Sequence, residues 1–218
     1  MVQSKSVHAA IDLDRIPQKK VKKFITDYGL HTTSAFVNMR QAGYDASVNS
    51  TYHTHHKTFV IRQCVSLVWD AYMTIHPKEA WKGKMVSFGV QYSNRDNKLN
   101  YIHDDYDGME AGQIIILNLK LLWGALNIAV AHQIAEVNQQ EKLIKLCYMV
   151  GGASEGSQWI TMRETADGFT EVSHHTLYKS KSNFRDKTLY PGLHTKAITE
   201  FHASVRRKAE GFNLSVAV

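Results

Sequence analysis

The sequence predicts a mixed α+β fold, in which a helical N-terminal part packs on a mixed β-sheet that contains a β-α-β unit and ends in a β-hairpin and a helix. Three observations predict this fold. Apolar residues recur at helical spacing between residues 14 and 75. Residues 114–150 hold an apolar run, a stretch of helical length and a second apolar run. Residues 158–179 hold two β-rich runs on either side of an Asp-Gly turn.

Two helices are predicted at the start of the chain. The first begins near Asp14, has Pro17 in its first turn and ends at Gly29, a residue type that commonly follows a helix. Residues 32–34 can each cap the second helix, which ends at Gly43. Two helices joined by about three residues are the minimum description of a helix-turn-helix.

This segment resembles the N-terminal helix-turn-helix of phage small terminase subunits. In that family an aromatic-rich first helix and a short turn precede a second helix that ends in a basic residue and Ala-Gly-Tyr. The second helix here lacks the alanine pair that is usual in the family. The resemblance implies nucleic-acid binding, and an ordinary helical hairpin is the alternative interpretation. The matching residues are Phe24, Tyr28, Ala35, Arg40, Ala42, Gly43 and Tyr44.

The middle of the chain supplies the predicted β-α-β unit. Residues 57–75 predict another helix or a strand–helix pair, and two short strands follow before residue 104. Residues 114–117 predict a buried strand because three of the four are β-branched isoleucines. Residues 121–142 then have helical length, and residues 143–150 predict a second strand. Such a unit normally joins parallel strands.

The C-terminal part is predicted to form a hairpin over residues 158–179 and a helix over residues 195–209. A boundary near residues 77–84 divides the chain into two parts. Residues 1–80 form a helical, basic, helix-turn-helix-like segment, and residues 81–218 form an α/β core.

Composition excludes several classes of protein. The first residues lead into no apolar stretch, so no secretory signal is predicted and an intracellular, cytoplasmic protein is expected. The apolar run 114–137 is interrupted by polar and charged residues, which argues against a membrane span. The two cysteines give no zinc spacing, so no metal site and no cofactor are predicted. A divalent metal near Asp107 is left open.

Charge indicates a nucleic-acid partner. The formal net charge is +6, and the first 62 residues carry nine basic and four acidic side chains. A basic surface attracts polyanions. A solvated basic face is the alternative. The predicted nucleic-acid contacts are Lys19, Lys20, Lys22, Lys23, Arg40, Lys179, Lys181, Arg185, Arg206, Arg207 and Lys208.

Two His-x-Thr sequences are the candidate catalytic residues. His56 with Thr58 and His174 with Thr176 each match the His-x-Thr-hydrophobic pattern of two-histidine phosphoesterases. In such a site one imidazole acts as base and the other as acid on a phosphodiester. Chance is a competing explanation, because the chain has twelve histidines.

A third constellation resembles the nuclease core of the PD-(D/E)xK type. Asp107 would precede the strand that carries Asn118 and Lys120. The catalytic glutamate position is Asn118, which cannot supply a charged metal ligand. A solvated acidic turn around Asp107 is the alternative.

The sequence therefore predicts a nucleic-acid-binding protein, of phage, plasmid or defence-system origin. One alternative is a nuclease or phosphodiesterase that uses His56 and His174 or a metal near Asp107. The other is a structural or assembly protein without catalysis, which the apolar central segment fits equally well. A homo-oligomer or a larger assembly is expected as a possible state of the chain. The sequence does not decide whether the chain is an enzyme.

Overall fold

The computed structural model describes residues 9–121 and 124–215, with side chains up to residue 212. Its described strands form one eight-stranded sheet in the order β1-β8-β7-β6-β5-β4-β2-β3. The strands are β1 (His53–Ile61), β2 (Val86–Ser93), β3 (Lys98–Asn100), β4 (Ile114–Leu121), β5 (Leu126–Asn138), β6 (Leu143–Tyr148), β7 (Glu155–Glu164) and β8 (Thr170–Lys179). The α-helices are α1 (Lys19–Asp27), α2 (Val65–Thr74), α3 (Pro77–Ala80) and α4 (Tyr190–Ser215).

The predicted mixed sheet with a β-α-β unit is wrong. Every pair of neighbouring strands in the described sheet is antiparallel. Most of residues 121–142, predicted as a helix, form β5. The reason is the alternation from Leu126 to His132, in which every second side chain faces the same side of the sheet. Leu122, which belonged to the predicted helical stripe, lies outside the described residues.

The N-terminal segment packs on strands β2, β4 and β5 on one face of the sheet, here called the outer face. Val21 and Ile25 of α1 are buried in a cluster with residues of β2, β4 and β5. The second predicted helix is a six-residue 3₁₀ turn, Thr33–Asn38, and two further 3₁₀ turns span Leu13–Arg15 and Ala46–Thr51. The predicted helix-turn-helix is therefore wrong, because no second α-helix follows α1 before β1.

Residues 57–75 were predicted to form either a helix or a strand–helix pair, and the structure shows the second, with the end of β1 followed by α2. β1 pairs with β8, and His56 lies opposite His175. β1 lies within residues 1–80 and β8 within residues 81–218, so strands from both predicted parts join one sheet. The hairpin β7–β8 also forms where the Asp167-Gly168 turn predicts it, and Gly168 has a φ of 75°.

Helix α4 lies on the opposite, inner face of the sheet. Its Phe201, Val205 and Ala209 pack in one cluster with residues of α2 and of the sheet. The helix encloses the predicted range 195–209 but begins earlier, after a π-helical turn at Arg185–Leu189. Pro191 follows this π-helical turn and has no N–H to donate back to it, and the carbonyl oxygen of Asp186 in that turn accepts from the hydroxyl of Tyr178.

No helix within residues 9–121 and 124–215 combines the length and the hydropathy that a membrane crossing requires.

A candidate binding cavity under the C-terminal helix

A cavity of about 320 Å³ lies between α4 and the inner face of the sheet. The strands supply side chains at every second position of β4 and β5, because alternate residues of a strand share a face. Helix α4 supplies residues spaced three and four apart, which share a face of a helix. The main lining residues are Val86, Leu117, Leu119, Leu121, Leu126, Ile128, Val130, Leu193, Ala197 and Ile198. The cavity is therefore walled mainly by aliphatic side chains.

Polar groups gather at one end of this cavity around Gln158 of β7. The side-chain oxygen Oε1 of Gln158 accepts a hydrogen bond from Nε2 of His174 at 2.8 Å and another from Nε2 of His194 at 3.2 Å. The amide nitrogen Nε2 of Gln158 donates to Nε2 of His132 at 3.0 Å. One amide thus joins three histidines from β5, β8 and α4.

The network continues along two branches. Nε2 of His202 lies 2.8 Å from Nδ1 of His174, and Tyr72 donates its hydroxyl hydrogen to Nδ1 of His202. On the other branch, Nδ1 of His55 lies 3.1 Å from Nδ1 of His194, and Nε2 of His55 lies 2.8 Å from Oγ1 of Thr195. The network therefore ties α4 to β1, β7 and β8 and, through His202, to α2.

Burial keeps these imidazoles neutral. Desolvation lowers the pKa of His132 to about 4 and that of His202 to about 3. The pKa values of His174 and His194 also lie well below the usual value, first because of desolvation and second because of neighbouring imidazoles. The pKa of His55 is lowered by desolvation and by nearby Lys57 and His56.

Two tyrosines occupy the same end of the cavity. The hydroxyls of Tyr148 and Tyr190 form a hydrogen bond with each other. The ring of Tyr190 stacks on Tyr178 at 3.6 Å and on His194 at 4.9 Å between ring centroids. Burial raises the pKa of Tyr148 to about 12. Both phenols are therefore protonated at neutral pH.

Arg185 also borders the cavity. Its guanidinium donates to the carbonyl oxygen of Ala153 and to Oγ of Ser154, and it lies 3.7 Å from Asp186. Asp186 is buried and accepts from the backbone N–H and the hydroxyl of Ser180. Arg185 thereby links the turn before α4 to the loop between β6 and β7.

The predicted phosphoesterase residues do not converge. His56 and Thr58 lie on the exposed outer side of β1, where Nε2 of His56 lies 2.8 Å from Oγ of Ser173. His174 and Thr176 are buried on the inner side of β8. The register pairs His56 with His175 rather than with His174. The sheet itself therefore separates the two His-x-Thr pairs.

The predicted basic contacts are spread over several elements, and many are paired within the chain. In α1, Lys23 lies 2.9 Å from Asp27 and Lys22 lies 3.7 Å from Asp14, while Lys19 and Lys20 are exposed. Lys179 pairs with Glu155 in the sheet, and Arg185 binds the loop described above.

The predicted basic contacts in α4 are also paired within the chain. Arg206 pairs with Glu210, Arg207 donates to Ser204 and Lys208 donates to the carbonyl of Thr74. Arg40 and Lys181 are exposed.

The acidic constellation is dispersed as well. Asp107 lies 4.0 Å from Arg95, whereas Asn118 bonds to Asn127 and Lys120 donates to the carbonyl of Gly83. Among residues 9–121 and 124–215 no group of three or more metal-binding side chains is arranged to hold a metal ion.

Sequence reasoning missed most residues of the cavity. His132, Gln158 and His194 belong to no motif, and His132 was assigned to a helix. The spacing of His194 and His202, eight residues apart on one helix face, was the available signal. It could not be interpreted without knowing that α4 faces His174.

The architecture is similar to that of solved helix-grip proteins. A point mutant of norcoclaurine synthase from Thalictrum flavum, in complex with a transition-state analogue, superposes with a TM-score of 0.54 at 14% identity, over 74% of this chain and 96% of that one. The same enzyme with dopamine and hydroxybenzaldehyde gives a TM-score of 0.51 at 15% identity, over 76% and 91% of the two chains. The solution structure of the KanY protein gives 0.51 at 15% identity, over 73% and 99%.

These likenesses show a helix-grip fold of the Bet v 1 type. The sequence matches no protein-family model and no curated protein. The predicted nucleic-acid-binding function is wrong, because the chain has the fold of the norcoclaurine synthase structures and the helix-turn-helix on which the prediction rested does not form. The nuclease or phosphodiesterase and the structural or assembly alternatives are not supported either.

Proposed function

We propose that this chain binds a small apolar ligand in the cavity under α4. The observation that carries the proposal is the cavity itself, which has a volume of about 320 Å³ and mainly aliphatic walls. Ligand pockets are typically concave and apolar, with a few converging polar groups, and span roughly 300–1,000 Å³. Burial of apolar surface would supply most of the binding free energy.

The structural neighbours support the same proposal. One of them was solved with dopamine and hydroxybenzaldehyde, which are both single-ring aromatic compounds. The cavity of this chain is bordered by Tyr148, Tyr190 and Trp81, which offer aromatic surface to such a ring. A compound with one or two fused aromatic rings fits both the size and the chemistry of these walls.

A cavity-filling variant tests the proposal. Ala197 lines the cavity, whereas Thr199 of the same helix is exposed. We expect the wild-type protein and Thr199→Phe to bind a fluorescent naphthalene derivative with the same dissociation constant. Ala197→Phe should weaken binding at least about tenfold, because its ring would occupy the ligand's space.

Thermal unfolding of each variant checks that the fold is retained. Equal binding by folded Ala197→Phe and by the wild type would place the ligand elsewhere and overturn the proposal. Absence of binding by the wild-type protein to any of a panel of one-ring and two-ring aromatic compounds would overturn it as well.

A further inference from the structure

We propose that the cavity under α4 selects a neutral ligand with a hydrogen-bond acceptor, such as a ketone, and that His132 donates to this acceptor through its Nδ1–H. The inference rests on the proposed function, because it assigns the chemistry of the molecule that the cavity holds. Its basis is the direction of the hydrogen bonds around Gln158.

The side-chain carbonyl of Gln158 sets the direction of the whole network. A carbonyl oxygen only accepts, so Nε2 of His174 and Nε2 of His194 must both carry hydrogen. Each of these neutral rings then accepts at Nδ1. His202 therefore donates to His174 through Nε2–H, and His55 donates to His194 through Nδ1–H.

The outer ends of the network complete the same pattern. His202, having its hydrogen on Nε2, accepts at Nδ1 from the hydroxyl of Tyr72. His55, having its hydrogen on Nδ1, accepts at Nε2 from the hydroxyl of Thr195. Each of these four rings thus uses one donor and one acceptor inside the protein, so none has a hydrogen to offer a ligand.

His132 differs from the other four histidines. Its Nε2 accepts from the amide of Gln158, so the neutral ring carries its hydrogen on Nδ1. Within the part of the chain that the structure describes, no side chain or backbone carbonyl accepts from this Nδ1. The ring borders both the main cavity and a smaller adjoining one. Nδ1 of His132 is not among the fully buried polar atoms that lack a partner, which fits a ring that faces the cavity, and a ligand oxygen there would supply an acceptor for its N–H.

The tyrosine pair adds a second hydrogen at the same end of the cavity. Two hydroxyls that bond to each other use one hydrogen between them, so the accepting hydroxyl of Tyr148 or Tyr190 keeps its own. The ring of Tyr148 lies 4.6 Å from that of His132 between centroids. A carbonyl oxygen can accept from both groups because it has two lone pairs. An ammonium group has no lone pair with which to accept from these donors and is disfavoured.

Charge restricts the ligand further. Arg185 is the one formally charged side chain among the described residues that line the cavity, and its guanidinium is engaged by Ala153, Ser154 and Asp186. A carboxylate in the cavity would therefore lose its hydration without gaining a free cation, which is costly. The favoured polar group is a neutral acceptor.

A matched set of naphthalenes tests this inference. 2-Acetylnaphthalene carries the ketone, 2-isopropenylnaphthalene has nearly the same shape without the oxygen, and 2-naphthoate carries a charge. We expect the wild-type protein to bind the ketone about tenfold more tightly than the hydrocarbon, since one net hydrogen bond is worth roughly 0.5–1.5 kcal/mol. We expect 2-naphthoate to bind more weakly than the ketone.

Variants locate the donor. His132→Phe should reduce the ketone preference below about threefold, whereas His31→Phe, at an exposed position, should leave it unchanged. The infrared carbonyl stretch of the ketone bound to wild-type protein should lie below its frequency in an apolar solvent. This second measurement needs no variant, so an unshifted stretch would overturn the assignment even if His132→Phe does not fold.

The outcomes separate the two proposals. If the ketone and the hydrocarbon bind equally well and Ala197→Phe weakens both, the cavity binds ligands but the donor assignment to His132 is overturned. An unshifted carbonyl stretch, or a ketone preference that persists in folded His132→Phe, overturns it as well. If no naphthalene binds, the proposed function fails and this inference fails with it.

Discussion

Nε2 of the Gln158 side chain lies 3.0 Å from Nε2 of His132, and this contact fixes which ring nitrogen of His132 carries hydrogen. Gln158 acts in the same way on His174 and His194, whose Nε2 atoms both face its oxygen. A single amide therefore sets the tautomers of histidines on three different elements. We therefore expect the packing of α4 on the sheet to be stabilised by this amide.

Replacement of Gln158 by leucine is expected to lower the free energy of unfolding by about 2–4 kcal/mol, because it leaves three buried imidazole nitrogens without partners. Urea denaturation measures this change. Gln139→Leu is the matched control, since Gln139 is exposed and should change stability by less than about 0.5 kcal/mol. Equal effects of the two substitutions would show that the Gln158 network contributes nothing to stability.

Acidification is expected to destabilise the protein. The buried histidines have folded-state pKa values below their unfolded value near 6.5, so the unfolded chain binds more protons between these values. The contribution of these histidines to the free energy of unfolding is therefore largest above pH of about 6.5. It decreases as the pH drops toward about 4, where His132 itself titrates. Urea denaturation between pH 7.5 and 4.5 measures the slope.

His132→Phe is expected to make this pH dependence shallower, because it removes one of the titrating groups. For a single group, each unit of pKa difference corresponds to about 1.4 kcal/mol. A pH dependence identical to that of the wild type would show that His132 keeps an ordinary pKa in the folded state. Such a result would contradict its burial.

The hydroxyls of Tyr148 and Tyr190 are expected to be energetically coupled. Tyr148→Phe or Tyr190→Phe alone should cost about 1–2 kcal/mol, because each leaves a buried hydroxyl without its partner. The double variant should cost less than the sum of the two single variants by about 1 kcal/mol. Additive effects in the double-mutant cycle would mean that the two hydroxyls do not interact.

The outer face of the sheet offers a separate test at Gly89 of β2. A Cβ added to Gly89 would lie 2.7 Å from the carbonyl oxygen of Ile116 and 2.9 Å from the methyl groups of Val21 in α1. Gly89→Ala should therefore push α1 away from the sheet and lower the melting temperature by several degrees. Gly192→Ala is the control, because an added Cβ there meets no atom within 4 Å. A melting temperature of Gly89→Ala equal to that of Gly192→Ala would contradict the close packing of α1 on the sheet.

Local sequence signals predicted some elements well and failed at others for physical reasons. The Asp167-Gly168 turn is determined by neighbouring residues, so the β7–β8 hairpin was predicted correctly. Residues 126–138 carry apolar side chains on both faces of β5, because α1 covers one face and the cavity occupies the other. Their pattern therefore fits a helical stripe as well as a strand. Only tertiary pairing with β4 and β6 decides between the two.

The site was harder to predict than the fold. Its polar residues come from β1, β5, β7, β8 and α4, so their proximity is a property of strand order and not of spacing in the sequence. His174 was predicted as a catalytic residue and lies in the hydrogen-bond network beside the cavity, whereas its predicted partner His56 faces the other side of the sheet. Its actual partners are Gln158 and His202. The prediction of a homo-oligomer stays untested.

The most direct test is the location of a bound ligand by nuclear Overhauser effects between 2-acetylnaphthalene and the protein's methyl groups. Binding in the cavity predicts contacts from the naphthalene ring protons to the methyl groups of Val130 and Ile198, which line the cavity from the sheet and from α4. Contacts only to Val60, an exposed residue of β1, or to no methyl group at saturating ligand would contradict a ligand-binding cavity under α4.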